Sequence, residues 1–410
     1  MIAIVGALVV HLLGGAARHL ATRCGLAVAL RSPTTFFFGL AVLYAFSLGP
    51  AGLVVLAALG IGVSLGVRPE PAVGLSPRAG LGLAGLAAVV LARPWVPTQW
   101  DEFVWLAKAR FASLGFAAGV QAALDPAQKL VPPGYPPLWP LAVGWVSLGV
   151  DALDAHVVAA SLLVVLCVAV AVESWKASLG SVPRWSLLLL VAAPLVLVHL
   201  RSTYVDLPIG LLGLALLGQL LQGSDRPAPA ALALAVTLAG FKDEGLAHVL
   251  AATAAAWFLS PRLQSWRLAV PALVALLTFA TWRVLVRLSG VALFDHALGL
   301  PQWDWAPRFL QLLVLHASDL PSWGVFWAVV LGVLFTRPGS SSARALRFMF
   351  AFNLCFTAAA LLSGPERVRV FAENGTLINR LLVQLWPGAL VLVFSTLRPT
   401  TTSAISSRGA

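Results

Sequence analysis

Long apolar runs, interrupted by charges that stand singly, govern what this chain can become. A helix of about 20 apolar residues crosses the hydrocarbon of a bilayer, and such runs recur along most of the sequence. Hydrophobic residues make up 60% of the chain and charged residues 10%, whereas a soluble domain carries about 25% charged residues. There is too little polar surface here to cover a water-soluble globule. Disorder, collagen and coiled coil are excluded too, since there is neither a charge excess nor a short repeat. The sequence predicts an all-α, polytopic transmembrane helix bundle of about 11–13 spans. Expected spans fall near 1–17, 34–48, 52–67, 80–94, 156–173, 186–199, 207–222, 229–241, 245–260, 268–288, 320–336, 346–363 and 377–397. The start of the chain lacks the basic region of a signal peptide, so 1–17 is expected to remain as a span. One transmembrane domain then covers 1–410. It divides into N-terminal spans (1–94), an extracytoplasmic loop with juxtamembrane helices (95–155), the remaining bundle (156–397) and a cytoplasmic tail (398–410).

The net charge of +11 does not point to nucleic acid. The arginines are dispersed between apolar runs, with no basic stripe and no recognition motif, so no nucleic-acid partner is expected. Their distribution speaks to orientation instead. Placing 18–33, 68–79, 174–185, 223–228, 261–267, 337–347 and 398–410 in the cytoplasm satisfies the positive-inside rule. Those segments then hold or directly adjoin only Glu70, Glu173 and Asp225 of the 16 acidic residues, and the other 13 fall at or near the opposite face. The rule barely constrains Asp and Glu, so this sorting implies a use for carboxylates on the outer side. Three cysteines, Cys24, Cys167 and Cys355, provide no disulfide framework.

The longest polar interruption, 95–155, opens with Trp100-Asp101-Glu102, followed by Trp105, Lys108 and Arg110. Adjacent carboxylates at a membrane boundary resist desolvation. They suit a general base with a cation one or two turns along the same amphipathic helix. They equally suit a helix N-terminus, where acids favour the dipole. Pro132-Pro133-Gly134-Tyr135-Pro136-Pro137 follows. Its prolines make a stiff connector, and Tyr135 offers an orienting hydroxyl. The apolar stretch Leu138 to Leu148 is too short to span and reads as an interfacial helix anchored by Trp139 and Trp145.

Three further polar islands stand out. His199 to Pro208 places Arg201, Tyr204 and Asp206 between apolar runs. Asp206 and Asp101 would face one compartment and there hold a cation or an acceptor hydroxyl, or Arg201 and Asp206 would simply pair. Lys242-Asp243-Glu244 puts three ionisable residues where a tight turn prefers Gly, Asn or Ser, and Lys242 can meet a phosphate as a point charge. Near the C-terminus Glu366, Arg367, Arg369, Glu373, Asn374 and Arg380 gather. Arginine there suits phosphate recognition, or snorkels to the interface. HExxH, CxxC, Walker and GxSxG motifs are all missing, which removes support for zinc proteolysis, redox exchange, nucleotide hydrolysis and esterase chemistry. Seven scattered histidines read as lone core or interfacial side chains, with His248, one turn from Glu244, the best exception.

In order and spacing these motifs resemble the C-superfamily (GT-C) of integral-membrane glycosyltransferases, which use polyprenyl-phosphate sugars. Trp100-Asp101-Glu102 occupies the place of that family's first acidic motif, and Pro133-Gly134-Tyr135-Pro136-Pro137 that of its proline-rich element. Tyr204-Val205-Asp206-Leu207-Pro208 is similar to its second acidic stretch. Lys242-Asp243-Glu244-Gly245 differs from a Lys-Asn-Glu-Gly turn of bacterial members by one residue, and Arg380 before Trp386-Pro387 is similar to a late motif. The resemblance covers roughly 80–397, without the soluble C-terminal domain typical of the oligosaccharyltransferase branch.

The resemblance implies inverting sugar transfer from a polyprenyl-phosphate donor to a glycan or lipid acceptor at the lipid bilayer. The location implied is a bacterial inner membrane, with the site facing the periplasm or exterior. Asp101 would take the acceptor proton, with Glu102 beside it. Asp206, Tyr204, Glu244 and Tyr135 would position the acceptor, or Asp101 and Asp206 a divalent cation (Mg or Mn). Lys242, Arg201, Arg380 and Lys108 would meet the donor phosphate. A transporter or flippase of a lipid-linked substrate is the alternative. A membrane partner without chemistry is a third reading.

Overall fold

The computed structural model describes residues 33–64, 86, 100–128, 134–147, 153–178, 193–221, 229–259, 266–291, 299–338 and 340–397. The expected spans at 1–17 and 80–94, the first part of 186–199 and the tail 398–410 therefore lie outside the described residues, residue 86 apart. So do the side chains of Trp100 and Asp101. Every regular element among the described residues is helical. Four stretches are long and apolar enough to cross a membrane: Asp154–Ser174, Trp266–Leu288, Ser341–Ser363 and Thr376–Thr396. Five shorter apolar helices accompany them.

The first helices are α1 (Pro33–Ser47), α2 (Gly52–Ser64), α3 (Trp100–Ser113), α4 (Phe116–Leu124) and α5 (Leu138–Val146). Then come α6 (Leu153–Ser178), α7 (Pro194–Leu200), α8 (Asp206–Leu220), α9 (Pro229–Phe241), α10 (Asp243–Leu259) and α11 (Val270–Leu288). The C-terminal group is α12 (Ala306–Ala317), α13 (Leu320–Trp323), α14 (Phe326–Phe335), α15 (Ser341–Ser363), α16 (Glu366–Glu373) and α17 (Thr376–Leu397).

Helix α8 is the centre. It is apolar all round, as a helix without a solvent face must be, and it packs against α6, α9, α10 and α17. Glycine makes this possible, because small residues let helix backbones approach closely where no water drives association. A Cβ on Gly210 would come within 2.1 Å of the Gln384 carbonyl oxygen of α17, and one on Gly213 within 2.7 Å of the His248 ring of α10. Apolar side chains remain exposed on the rim, among them Leu273, Leu276, Val284 and Leu288 of α11, where hydrocarbon is the fitting solvent.

Two expectations are corrected. The stretch beginning at Leu138 does not lie along the surface of the protein on two tryptophan anchors. All of α5 except Trp145 is buried, and Trp139 donates its indole N–H to the Thr203 carbonyl at 2.7 Å instead of anchoring at a surface. The span expected at 320–336 is broken, since Gly324 takes φ 58° between α13 and α14, a left-handed conformation open to glycine but costly for other residues.

Candidate functional site

Four polar segments that lie far apart in sequence meet at one end of the bundle. Asp206 opens α8, where the backbone N–H groups of the first turn favour a carboxylate. Its side chain is 0% exposed, and both of its oxygens are engaged. Oδ1 accepts from Lys242 Nζ at 3.2 Å and from Gln384 Nε2 at 2.8 Å, while Oδ2 accepts from Arg380 Nε at 2.8 Å. Arg380 and Gln384 stand four residues apart on α17, so they share a face and grip the carboxylate together. Lys242 sits in the turn between α9 and α10 and also holds Glu244 Oε1 at 2.6 Å. The next residue, Asp243, turns the other way and pairs with Arg283 of α11.

Aromatic rings extend this cluster in both directions. Lys242 Nζ lies 5.3 Å from the Tyr135 ring centroid, within cation–π range, and Tyr135 stacks on Trp105 at 5.9 Å. Lys108 Nζ lies over Trp105 at 5.3 Å and Tyr135 at 6.0 Å. On the other side Arg380 lies over Tyr204 at 5.1 Å, and Tyr204 stacks on His199 at 5.0 Å. The loops are pinned beside the cluster. Trp282 and Arg283 donate to the Gly134 carbonyl at 3.1 and 3.2 Å, and Thr203 Oγ1 donates to the Glu102 carbonyl at 3.3 Å.

Electrostatics follows from burial. Desolvation is the strongest influence on Lys242 and works against its charge, as does Arg380. Asp206, Glu244 and Tyr135 outweigh them and hold the ammonium above the ordinary lysine range. Burial pushes the Tyr135 phenol up. At Lys108 burial acts to lower the ammonium to about 7.

Tyr135, Tyr204, Asp206, Lys242, Glu244 and Arg380 thus converge, with Lys108 one ring away. Glu102 is buried and reaches the same loops through its main chain. Arg201 is half-buried at the C-terminal end of α7. The expectation that it pairs with Asp206 is corrected, because Lys242 and Arg380 are the cations on that carboxylate. Asp206 meets no solvent directly, since its carboxylate is fully buried. Asp206 itself has little left for a divalent ion, since its two oxygens together accept from three donors, and no group of three His, Cys, Asp or Glu suited to a metal occurs among the described residues, which leave out the Asp101 side chain. His248 is no exception, for its Nδ1 meets the Glu244 main-chain oxygen at 3.0 Å, not the carboxylate. Gln384, Trp105, Arg283 and His199 were not singled out as site residues from sequence. Gln384 carried a signal, an amide set deep in an apolar run, where it needs a partner.

No protein-family model, curated protein or solved structure matches the chain.

Proposed function

We propose that this protein is an integral-membrane glycosyltransferase that moves a sugar from a polyprenyl-phosphate donor to a glycan or lipid acceptor at the outer face of a bacterial inner membrane. One observation carries the reading: three separate motifs deliver a charge-balanced, largely buried cluster, with Lys242 and Arg380 against Asp206 and Glu244, to one end of the helix bundle. In the reaction the acceptor oxygen attacks the anomeric carbon and the bond from that carbon to the phosphate oxygen breaks. The electron pair leaves with the phosphate, and the hydroxyl proton passes to Asp101. The lipid phosphate gains a negative charge as it leaves, and fixed cations in a dry site stabilise that charge better than water does. Asp206 is a positioning residue in this scheme, because it holds Lys242 and Arg380 in place. Tyr135 and Tyr204 cover those cations with their rings.

The test is turnover of a panel of polyprenyl-phosphate sugars by the protein in lipid nanodiscs, with membrane-extract acceptors. Wild type is expected to consume one donor, and Asp101→Asn to lose about 10²–10⁴-fold, the usual worth of a general base. Asp101→Asn at wild-type rate removes Asp101 as the base. Donors carried across liposome membranes with the sugar–phosphate bond intact identify a transporter and overturn the proposal.

A further inference from the structure

The stretch 299–317 falls between the expected spans 268–288 and 320–336, where sequence alone puts a loop in water. The structure puts α12 there and ties it to the ends of two spans. Just before the helix, the Gly299 N–H donates to the Ser363 carbonyl at 2.6 Å and the Gln302 N–H to the Leu362 carbonyl at 2.9 Å. The approach to α12 is thus fastened to the C-terminal end of α15. In its last turn the His316 ring lies against Gly375, the residue before α17, where a Cβ would come within 2.4 Å of it. Ser341–Ser363 and Thr376–Thr396 are both long and apolar enough to cross a membrane. They follow one another and are joined by 364–375, so these two ends lie on one side. A helix of about 18 Å that meets one end at its start and the other at its finish lies across the ends of the spans, not along them.

Each residue turns about 100° round a helix, and α12 sorts its side chains into three arcs. Phe309 and Leu312 are buried against the bundle, with His316 beside them. Leu313 and Ala317, half-buried, lead round to Leu310 and Val314, which are 60% and 67% exposed. The third arc carries Arg308, Gln311 and, just past the helix end, Ser318, all exposed. Arg308 bonds there to Gln311 at 2.9 Å and pairs with Glu373 of α16 at 3.5 Å. Leu315 falls on that arc too, beside Arg308. At the head of the helix Trp303 is 71% exposed.

Three arcs call for three neighbours. The bundle takes the first. Water suits the third, where the partners of the ion pair are both about half exposed. Hydrocarbon suits Leu310 and Val314. A helix meets water and hydrocarbon at once by lying in the plane of a membrane interface, its apolar arc at the boundary of headgroups and acyl chains. Tryptophan favours the same level, with its ring among the chains and its N–H among the headgroups. Exposed apolar side chains continue at Leu320, Val325 and Val329 as the chain enters α14.

We propose that α12 is an in-plane membrane anchor, seated in one leaflet at the headgroup–acyl boundary, with Leu310 and Val314 toward the chains and Arg308 and Gln311 toward water. The inference goes beyond the transfer reading and stands without it. It also sets the depth of the charged cluster: Arg380 lies about 7 Å along α17 from Gly375, which puts it just beneath the lipid headgroups.

The test reads position in the bilayer, not turnover. Leu310→Cys, Val314→Cys, Gln311→Cys and Ser318→Cys are each made in a Cys24→Ser, Cys167→Ala, Cys355→Ala chain. Each carries a nitroxide, in nanodiscs of palmitoyl-oleoyl phosphatidylcholine. Oxygen, which concentrates in lipid, and a nickel chelate, which stays in water, relax the label according to its surroundings. The oxygen-to-nickel ratio should be several-fold higher at 310 and 314 than at 311 and 318, and alike at 310 and 314. Equal ratios at all four positions overturn the proposal. So does a depth difference of about 6 Å between 310 and 314, which stands the helix along the membrane normal. Labels at 310 and 314 shielded from both reagents and broadened by each other's spins put a second copy on this face and overturn it as well. Should the cysteine-free chain fail to fold, the unaltered protein takes its place, in nanodiscs doped with phospholipid bearing a diazirine beside the glycerol. Photo-cross-links within 303–317 uphold the anchor. Their absence, while diazirines at the chain ends still label α15, overturns it.

Discussion

Removing the charge of Asp206 probes the centre of the cluster. In Asp206→Asn the shape survives, but Lys242 and Arg380 face an amide in place of a carboxylate. Breaking one partner out of a buried ion pair costs about 3–5 kcal/mol, chiefly because the other charge stays buried without compensation. The losses at the two cations differ. Lys242, 1% exposed, keeps Glu244 at 2.6 Å, whereas Arg380, 12% exposed, keeps the Tyr204 ring and a little solvent. The expected loss therefore sits at the lower end, about 3 kcal/mol. Lys242→Met should be milder, about 1–3 kcal/mol, since Asp206 retains Arg380 and Gln384, and Glu244 at 22% exposure can hydrate. The double variant leaves no lysine to strand, so its loss should fall short of the sum by about 1 kcal/mol or more, within the range for residues in contact. Reversible denaturant unfolding in lipid–detergent micelles, followed by far-ultraviolet ellipticity, measures all four species. Additivity within about 0.3–0.5 kcal/mol would refute the claim that Asp206 binds Lys242 energetically as well as geometrically.

Gly210→Ala should destabilise by about 1–3 kcal/mol, as overpacking does, despite a gain in helix propensity of about 1 kcal/mol. The new methyl meets the main chain of Gln384, and α8 and α17 have to part exactly where they share Asp206; equal stability by the same unfolding measurement would mean that the two helices have slack. Lys108 gives a pH test with a definite sign. Its folded value, lowered by burial from 10.5 to about 7, means the unfolded chain holds the extra proton between those values, so stability should rise with pH from about 7 to about 10.5 and stay flat below 7. Lys108→Met should abolish that slope, and an unchanged slope in the variant would assign it to another group.

The helices were legible because an apolar run in a bilayer has few other choices, and the runs at 207–222, 229–241, 245–260 and 268–288 each became one helix or nearly so. Partners were less legible. Nothing within a few residues of Asp243 announces Arg283, 40 positions on, or tells that Asp243 and Glu244 part to opposite cations. Trp139 was misread because an indole at the end of a short apolar segment looks the same whether its N–H meets interfacial water or a buried carbonyl. The Thr203 carbonyl, 64 residues away, decides it. Gln384 and Trp386 extend the lesson to α17. Read along the sequence they are two interruptions in one apolar helix, but read around it they fall on different faces. One closes on a carboxylate with Arg380, while the other stands among aromatic rings with its N–H unspent. A single helix thus turns a charged face to α8 and an aromatic face to α13 and α14, a division that shows round the helix and not along it.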